Sequence, residues 1–319
     1  MKTIILCGLL AALALVLVPP ERSAAKPVED VVLLIEEPAE AAALSAAPVE
    51  DGPEARTVQL KTEAGVEAVD EDAYLTAVVL SEMPASFEPE ALAAQAVAAR
   101  TFLARQRLAG KHTDCDVCAD SACCQAWSSE AALGAKYGAE LPQYWDKASS
   151  AVTETAGEIL TYDGAPIEAV YFSCSGGSTE AAVAVWGTDV PYLQAVESPG
   201  EQDALRYESE AVFPEDELRA ILNKAAPEAK LDGPSDGWFS EPVLTEGGGV
   251  ASINIGGAAF TGTQLRSLLG LNSTRFTVTC GDGEVVFHVR GFGHRVGMSQ
   301  YGANAMAKLG FDYRAILQY

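Results

Sequence analysis

The spacing of apolar residues changes several times along the chain, and each change marks a segment. Residues 3–19 are almost continuously apolar. Over 72–80 the apolar positions recur at helical spacing and predict a short amphipathic helix. A longer helix is predicted after Phe87. Glu88-Pro89-Glu90 places proline and acids at its first turn, Leu92, Ala96, Ala99 and Leu103 continue the spacing, and Gly110 stops it. Alternation of period two then predicts two hairpins. The first joins 158–162 to 165–172 through Asp163-Gly164. The second joins 274–279 to 284–290 through Asp282-Gly283, with Val285, Phe287 and Val289 on one face. Residues 215–225 and 299–308 read as helices, and Asp312 caps a last short turn. Helices and hairpins in separate blocks predict an α+β fold, with antiparallel and mixed-sheet hairpins in a single domain.

The apolar run at the start follows Lys2 and precedes Arg22 and Ser23-Ala24-Ala25. That is the pattern of a secretory signal with a cleavage site after Ala25. Pro19-Pro20 makes a poor processing region, so an uncleaved signal anchor stays equally open. Either form places the rest of the chain outside the cytoplasmic membrane. Residues 26–64 are rich in Ala, Glu, Pro and Val, and no aromatic residue occurs before Tyr74. Such a segment buries too little to fold alone and reads as a solvated tether. The expected organisation is a signal or anchor over 1–25, a tether over 26–64 and a folded domain over 65–319.

Charge narrows the partners. Lys and Arg number 21 against 45 Asp and Glu, a formal net charge of −24. A surface this acidic repels phosphate backbones and anionic membrane faces. Nucleic acid is excluded, and contact with the membrane is left to the N-terminal segment.

Four segments carry candidate chemistry. In Ser81-Glu82-Met83-Pro84 a carboxylate lies between an apolar helix end and a helix-breaking proline. Partial desolvation there raises a carboxyl pKa and suits a general acid; a capping or solvated glutamate is the plainer alternative. Between His112 and Cys124 lie four of the seven cysteines, Cys115, Cys118, Cys123 and Cys124. Thiolates with imidazole suit zinc, whereas an oxidising exported setting favours a disulfide knot, and the spacing alone leaves both open. Adjacent cysteines do not easily share one small site, so Cys123 and Cys124 are not both expected as ligands. The third segment, 291–302, has glycine at 291, 293, 297 and 302, around His294, Ser299 and Gln300. Its backbone turns sharply and is closely approached. The fourth, Tyr171 to Thr179, ends a strand in a small-residue loop, where Cys174 reads as packing before nucleophile.

Together these segments resemble the SpoIID/LytB family. The resemblance rests on Ser81 to Pro84 with Phe87, on Glu90 to Thr101 including Gln95 and Arg100, and on Asp116-Val117-Cys118 with Cys123-Cys124-Gln125. It continues through Ser173 to Gly177, Trp186, Pro191-Tyr192-Leu193 and Gly293 to Gly302, over roughly 57–319 in family order. It implies a lytic transglycosylase that cleaves the MurNAc–GlcNAc bond of peptidoglycan, leaving 1,6-anhydro-MurNAc ends, in sporulation and engulfment. It implies Glu82 as the catalytic acid, with glycan contacts from Gln95, Arg100, Tyr171, Ser173, His294, Ser299 and Gln300. A structural zinc on His112, Cys118 and Cys124 is implied as well, with Cys115 extra to the pattern. The implied partners are stripped (denuded) glycan strands and a cell-wall amidase similar to stage II sporulation protein P. A glycan-binding activator of such an amidase is the alternative within the family. One departure stands out: the family's Gly-His-Gly-Val-Gly reads Gly293-His294-Arg295-Val296-Gly297 here. If that place needs positive φ, Arg295 strains the loop by ~1–2 kcal/mol or changes its path.

Overall fold

The computed structural model describes residues 44–46 and 56–319. The signal or anchor expected over 1–25 and most of the expected tether lie outside the described residues. Two pieces of that tether are strands. Leu44–Ala46 pairs antiparallel with Glu158–Tyr162. Thr57–Thr62 forms a hairpin with Gly65–Asp70 and pairs in parallel with Val117–Cys118. The folded region therefore begins before residue 65. Val58 and Leu60 alone turn fully inward from Thr57–Thr62, too faint an apolar signal to stand out from its polar surroundings. Among the described residues, no helix is long and apolar enough to cross a membrane.

The first core is built on two helices. Helix α1, Glu71–Glu82, starts where Asp70 accepts the Ala73 N–H (3.0 Å) and ends at extended Met83 before Pro84. Amphipathicity was the expectation, but every residue from 74 to 80 is buried. Neighbours cover the helix all round, so the apolar stripe widens into a full apolar surface. Helix α2, Pro89–Ala109, is closed by left-handed Gly110. Its alanines let surrounding elements approach closely, and 91–101 are buried throughout. Helices α3, Glu130–Tyr137, and α4, Leu141–Glu154, pack against α1. After α5, Ala182–Trp186, α6, Glu215–Ala225, and α7, Gly262–Leu269, come α8, Gln300–Lys308, and α9, Tyr313–Gln318. These last two pack on α2.

A second core lies under the sheet of Arg275–Gly281, Glu284–Arg290 and Glu208–Pro214, paired antiparallel in that order. Asp282 and Gly283 both have positive φ, the primed turn expected there. Phe287 is at its centre, edge-on to Phe213, Phe239 and Phe276. The Glu208–Pro214 strand escaped the sequence pattern because its inward residues, Ser209, Ala211 and Phe213, are only partly buried and include one large apolar side chain. Helices and sheets together give the expected α+β class.

The first predicted hairpin is cut short. Within it Glu158–Tyr162 pairs with Ala165–Pro166, and the ladder ends where the Ile167 N–H still reaches the Leu160 carbonyl (3.1 Å) but the Leu160 N–H donates to Thr101 Oγ1 instead (2.9 Å). Tyr171–Phe172 instead pairs in parallel with Met298–Ser299, 126 residues away in sequence at the Ser173–Ser299 contact. The loops that follow and precede these strands are pressed together. At Gly176 (φ 73°) an added Cβ would lie 2.7 Å from the Gly291 nitrogen, so no other residue fits there.

Arg295 takes the left-handed conformation (φ 67°) that its place in the motif demands. The side chain turns inward, fully buried, and meets Glu180 Oε1 at 3.0 Å. Its guanidinium also donates to the carbonyls of Ser175 (2.8 Å), Ser178 (2.7 Å) and Gly247 (2.6 Å). The backbone strain of ~1–2 kcal/mol is accompanied by a buried guanidinium that is fully paired and hydrogen-bonded. The arginine thus fastens three loops beside the strand that bears Tyr171.

Candidate active site

Glu82 is the last residue of α1 and is half-buried. Its Oε1 accepts the backbone N–H of Ala126 at 2.6 Å, and the Tyr171 hydroxyl lies 3.3 Å from the same atom. Oε2 has no protein partner among the described residues. Burial pushes the Glu82 pKa up, while the Ala126 N–H, the Tyr171 hydroxyl and the charge of Lys136 oppose the shift. With the Ala126 N–H on Oε1 and no partner on Oε2 among the described residues, the proton of the neutral form belongs on Oε2. A carboxyl held this way suits general acid chemistry.

The support behind Glu82 is a chain of hydrogen bonds. The one hydroxyl proton of Tyr171 is shared between Glu82 Oε1 and the nearer Gln125 Oε1 (3.0 Å), and Gln125 Nε2 donates to the Tyr74 hydroxyl (3.1 Å) and the Ala99 carbonyl (3.3 Å). In front lies a cavity of about 490 Å3 lined by Glu82, Lys136, Tyr137, Glu140, Tyr144, Ser173, Gln300 and Tyr301, with residues 81 and 83–86. Tyr137 stands edge-on to Tyr144 (5.2 Å) and Tyr301 edge-on to Phe87 (4.9 Å). Apolar ring faces beside a few polar groups form a wall suited to sugar rings. Lys136 Nζ and the Tyr137 hydroxyl each donate to the Leu80 carbonyl at 2.9 Å, which secures the turn that ends in Glu82.

The expected glycan contacts divide. Ser173 and Gln300 line the cavity, and Gln300 Nε2 donates to Gln95 Oε1 (3.3 Å) behind it. Gln95 Nε2 is buried without a partner of regular hydrogen-bond geometry, although it lies against the Tyr171 hydroxyl. Tyr171 positions the acid. Three residues are elsewhere. Arg100 is buried and donates to the carbonyls of Val152 (2.9 Å), Thr155 (2.7 Å) and Glu158 (3.3 Å), closing the C-terminal end of α4. It lines a different cavity, with Glu71 and Arg107. His294 is wedged between Phe172 and Trp186, and burial, with Arg266 nearby, pulls its pKa down to about 4. Ser299 caps α8, its Oγ accepting the Gly302 N–H at 3.2 Å. Neither His294 nor Ser299 lines the cavity.

Close to the acid, one donor atom each from His112, Cys118, Cys123 and Cys124 falls within 4.8 Å of every other. His112 Nε2 is 3.4 Å from Cys124 Sγ and 3.8 Å from Cys123 Sγ. Tetrahedral zinc, with bonds of ~2.3 Å to sulfur and ~2.0–2.1 Å to nitrogen, spaces its ligands by ~3.5–3.8 Å, so this donor set fits it. Cys123, not expected beside Cys124, joins the group, and Cys115 stays out. The reason is a helical turn: the N–H groups of Cys123 (3.0 Å) and Cys124 (2.8 Å) both donate to the Asp120 carbonyl, folding the two thiols inward. Two residues after Cys124 comes Ala126, whose N–H holds Glu82.

A family described as SpoIID, Stage II sporulation protein, matches residues 59–162, which include Glu82 and all four donor residues. Stage II sporulation protein D of Bacillus subtilis (strain 168) is 39% identical over 257 residues, covering 80% of this chain and 73% of that protein. Its counterpart in Bacillus amyloliquefaciens is 37% identical over the same shares. The chain belongs to the SpoIID family. A more distant similarity, 28% identity over 77% of this chain and 39% of the relative, links it to a Bacillus subtilis protein named amidase enhancer. Within this SpoIID chain, the segment that sequence reasoning missed is α3 with the start of α4. Lys136, Tyr137, Glu140 and Tyr144 sit there outside any quoted motif, and only the clustering of aromatic residues from Trp127 to Trp145 could have pointed to them.

The raised Glu82 pKa has a consequence for stability. A carboxyl whose folded pKa lies above its unfolded value favours folding below the unfolded value, near ~4.3, and loses that advantage as pH rises through the folded value. Glu82→Gln is therefore expected to be as stable as the parent or more stable at pH 7, with the difference closing as pH falls below ~4.3. Urea unfolding at both pH values checks this, and a variant clearly weaker at pH 7 would contradict it.

Proposed function

We propose that this chain is a lytic transglycosylase acting on peptidoglycan glycan in sporulation and engulfment, with Glu82 as its acid. The observation that carries the reading is a half-buried carboxyl with Oε1 held by the Ala126 N–H, the Tyr171 hydroxyl beside it, and Oε2 free beside a tyrosine-walled cavity. Glycosidases usually need two carboxyl groups, one to protonate the leaving oxygen and one to activate water or attack the sugar. A transglycosylase works with one. Glu82 gives its proton to the glycosidic oxygen as the bond to MurNAc C1 breaks. The resulting carboxylate stabilises positive charge on the ring, then accepts the proton of the C6 hydroxyl as that oxygen closes on C1. Glu82 ends protonated, no water is consumed, and the product is a 1,6-anhydro end.

The setting follows from the N-terminal signal or anchor: the outer face of the cytoplasmic membrane, on strands stripped by a cell-wall amidase. A second reading, supported by the similarity to an amidase enhancer, is a glycan-binding activator of that amidase. Digestion of stripped glycan strands separates the two. The wild type is expected to release anhydro-MurNAc ends, and Glu82→Gln to lose them by ~100-fold or more while staying folded. Undiminished release by Glu82→Gln would exclude the mechanism, and stimulation of an amidase without any anhydro ends would favour the activator.

His112, Cys118, Cys123 and Cys124 would hold zinc as four protein donors, a closed shell that supplies structure rather than an open position for substrate. Its effect on catalysis would pass through Gln125 and Ala126 to Glu82. The full-length chain is expected to carry one zinc ion, and Cys123→Ser to lose most of it and to melt at lower temperature. Native mass spectrometry and thermal melting test this; a zinc-free chain with these cysteines joined as disulfides would contradict it.

A further inference from the structure

The Glu82 cavity contains a cation that the mechanism above does not use. Lys136 is exposed and is the one Lys or Arg among the residues lining it. Its ammonium donates to the Leu80 carbonyl (2.9 Å) and lies 4.8 Å from the centre of the Tyr137 ring. Among the described residues, no carboxylate forms an ion pair with it. An ammonium has three donors, so two are left for a ligand. By contrast, Lys61 on the same acidic chain is paired with Asp114 at 3.0 Å. The carboxyl groups of the cavity are the acid Glu82 and Glu140, and neither attracts an anion. A negatively charged sugar substituent thus has one favourable place in the cavity, beside Lys136.

We propose that Lys136 binds a free carboxylate of the glycan, the 3-O-lactyl carboxylate of a MurNAc unit that has lost its stem peptide. This rests on the glycan-cleaving reading of the same cavity. In intact wall the lactyl carboxyl is an amide, uncharged at that atom and extended by a peptide. Removing the peptide restores a single negative charge on the substituent at C3, two ring bonds from the C1 that Glu82 serves. The lysine recognises the product of peptide removal by charge. A charge-assisted hydrogen bond in a half-enclosed cavity corresponds to roughly ten-fold in affinity.

The test is binding, measured by calorimetry on the full-length chain carrying Glu82→Gln, so that no strand is cut. Two otherwise identical stripped glycan oligomers are compared, one with free lactyl carboxylates and one with them converted to primary amides. The free form is expected to bind roughly ten-fold more tightly. Adding Lys136→Met, which keeps the apolar stem, should reduce the ratio to within about two-fold, and Lys136→Arg should keep most of it. The ratio is taken within each protein, and thermal melting verifies that each is folded. A ten-fold preference that persists in folded Lys136→Met, or no preference before that change, overturns the assignment. The two readings fail separately. Absence of anhydro ends from the wild type would remove the transglycosylase and leave carboxylate binding standing, whereas loss of the preference alone would leave the chemistry intact.

Discussion

The hydrogen bond from the Ala126 N–H to Glu82 Oε1, 2.6 Å long, joins the parts of this molecule that matter for chemistry. On one side is the end of α1, a rigid helix buried from 74 to 80 and stopped by Pro84. On the other is a loop that begins two residues earlier at Cys124, within the cluster of one imidazole and three thiols. The Tyr171 hydroxyl, its proton shared with Gln125, lies 3.3 Å from the same oxygen, and it is carried by the parallel pairing of Tyr171–Phe172 with Met298–Ser299. A neutral backbone donor leaves the carboxyl free to be protonated, where a cation at that distance would favour the ionised form. The more distant charge of Lys136 lowers the Glu82 pKa, but burial outweighs it.

This arrangement lets the cluster of one imidazole and three thiols bear on an acid that it never touches. Gln125 bridges to Tyr74 on α1 and accepts from Tyr171, so the loop, the helix and the strand register together. Arg295 does similar work further out. Its guanidinium gathers the carbonyls of Ser175, Ser178 and Gly247 around the Glu180 pair, close to the strand bearing Tyr171. Left-handed strain at one residue is accompanied by a buried network that only a long, forked side chain can make.

Much of this was legible in sequence, and the failures share a cause. Glu82 was legible because its signals are local: apolar residues before it and proline after it. The second hairpin was legible because Asp282-Gly283 and the alternation beyond it are local too. Arg100 was misplaced because its partners lie on α4, more than 50 residues away, and a helical arginine gives no sign of which way it turns. Ser299 and His294 share a motif with Gln300, yet one caps a helix and the other fills an aromatic wedge. Cys123 was dismissed from adjacency to Cys124, which overlooked how a single helical turn at Asp120 folds both thiols inward. The tyrosine wall was missed because residues 127–145 match no motif, and their use depends on α3 and α4 packing against α1.

The central claim is that one carboxyl, Glu82, suffices because the substrate supplies its own nucleophile. The rival within the same cavity is Glu140, an exposed second carboxylate that could serve a hydrolytic mechanism by activating water. Cleavage of stripped glycan in oxygen-18 water, with mass spectrometry of the new ends, separates the two directly. The single-carboxyl account predicts anhydro-MurNAc ends that contain no oxygen from the solvent. Reducing MurNAc ends that each carry one solvent oxygen would contradict it.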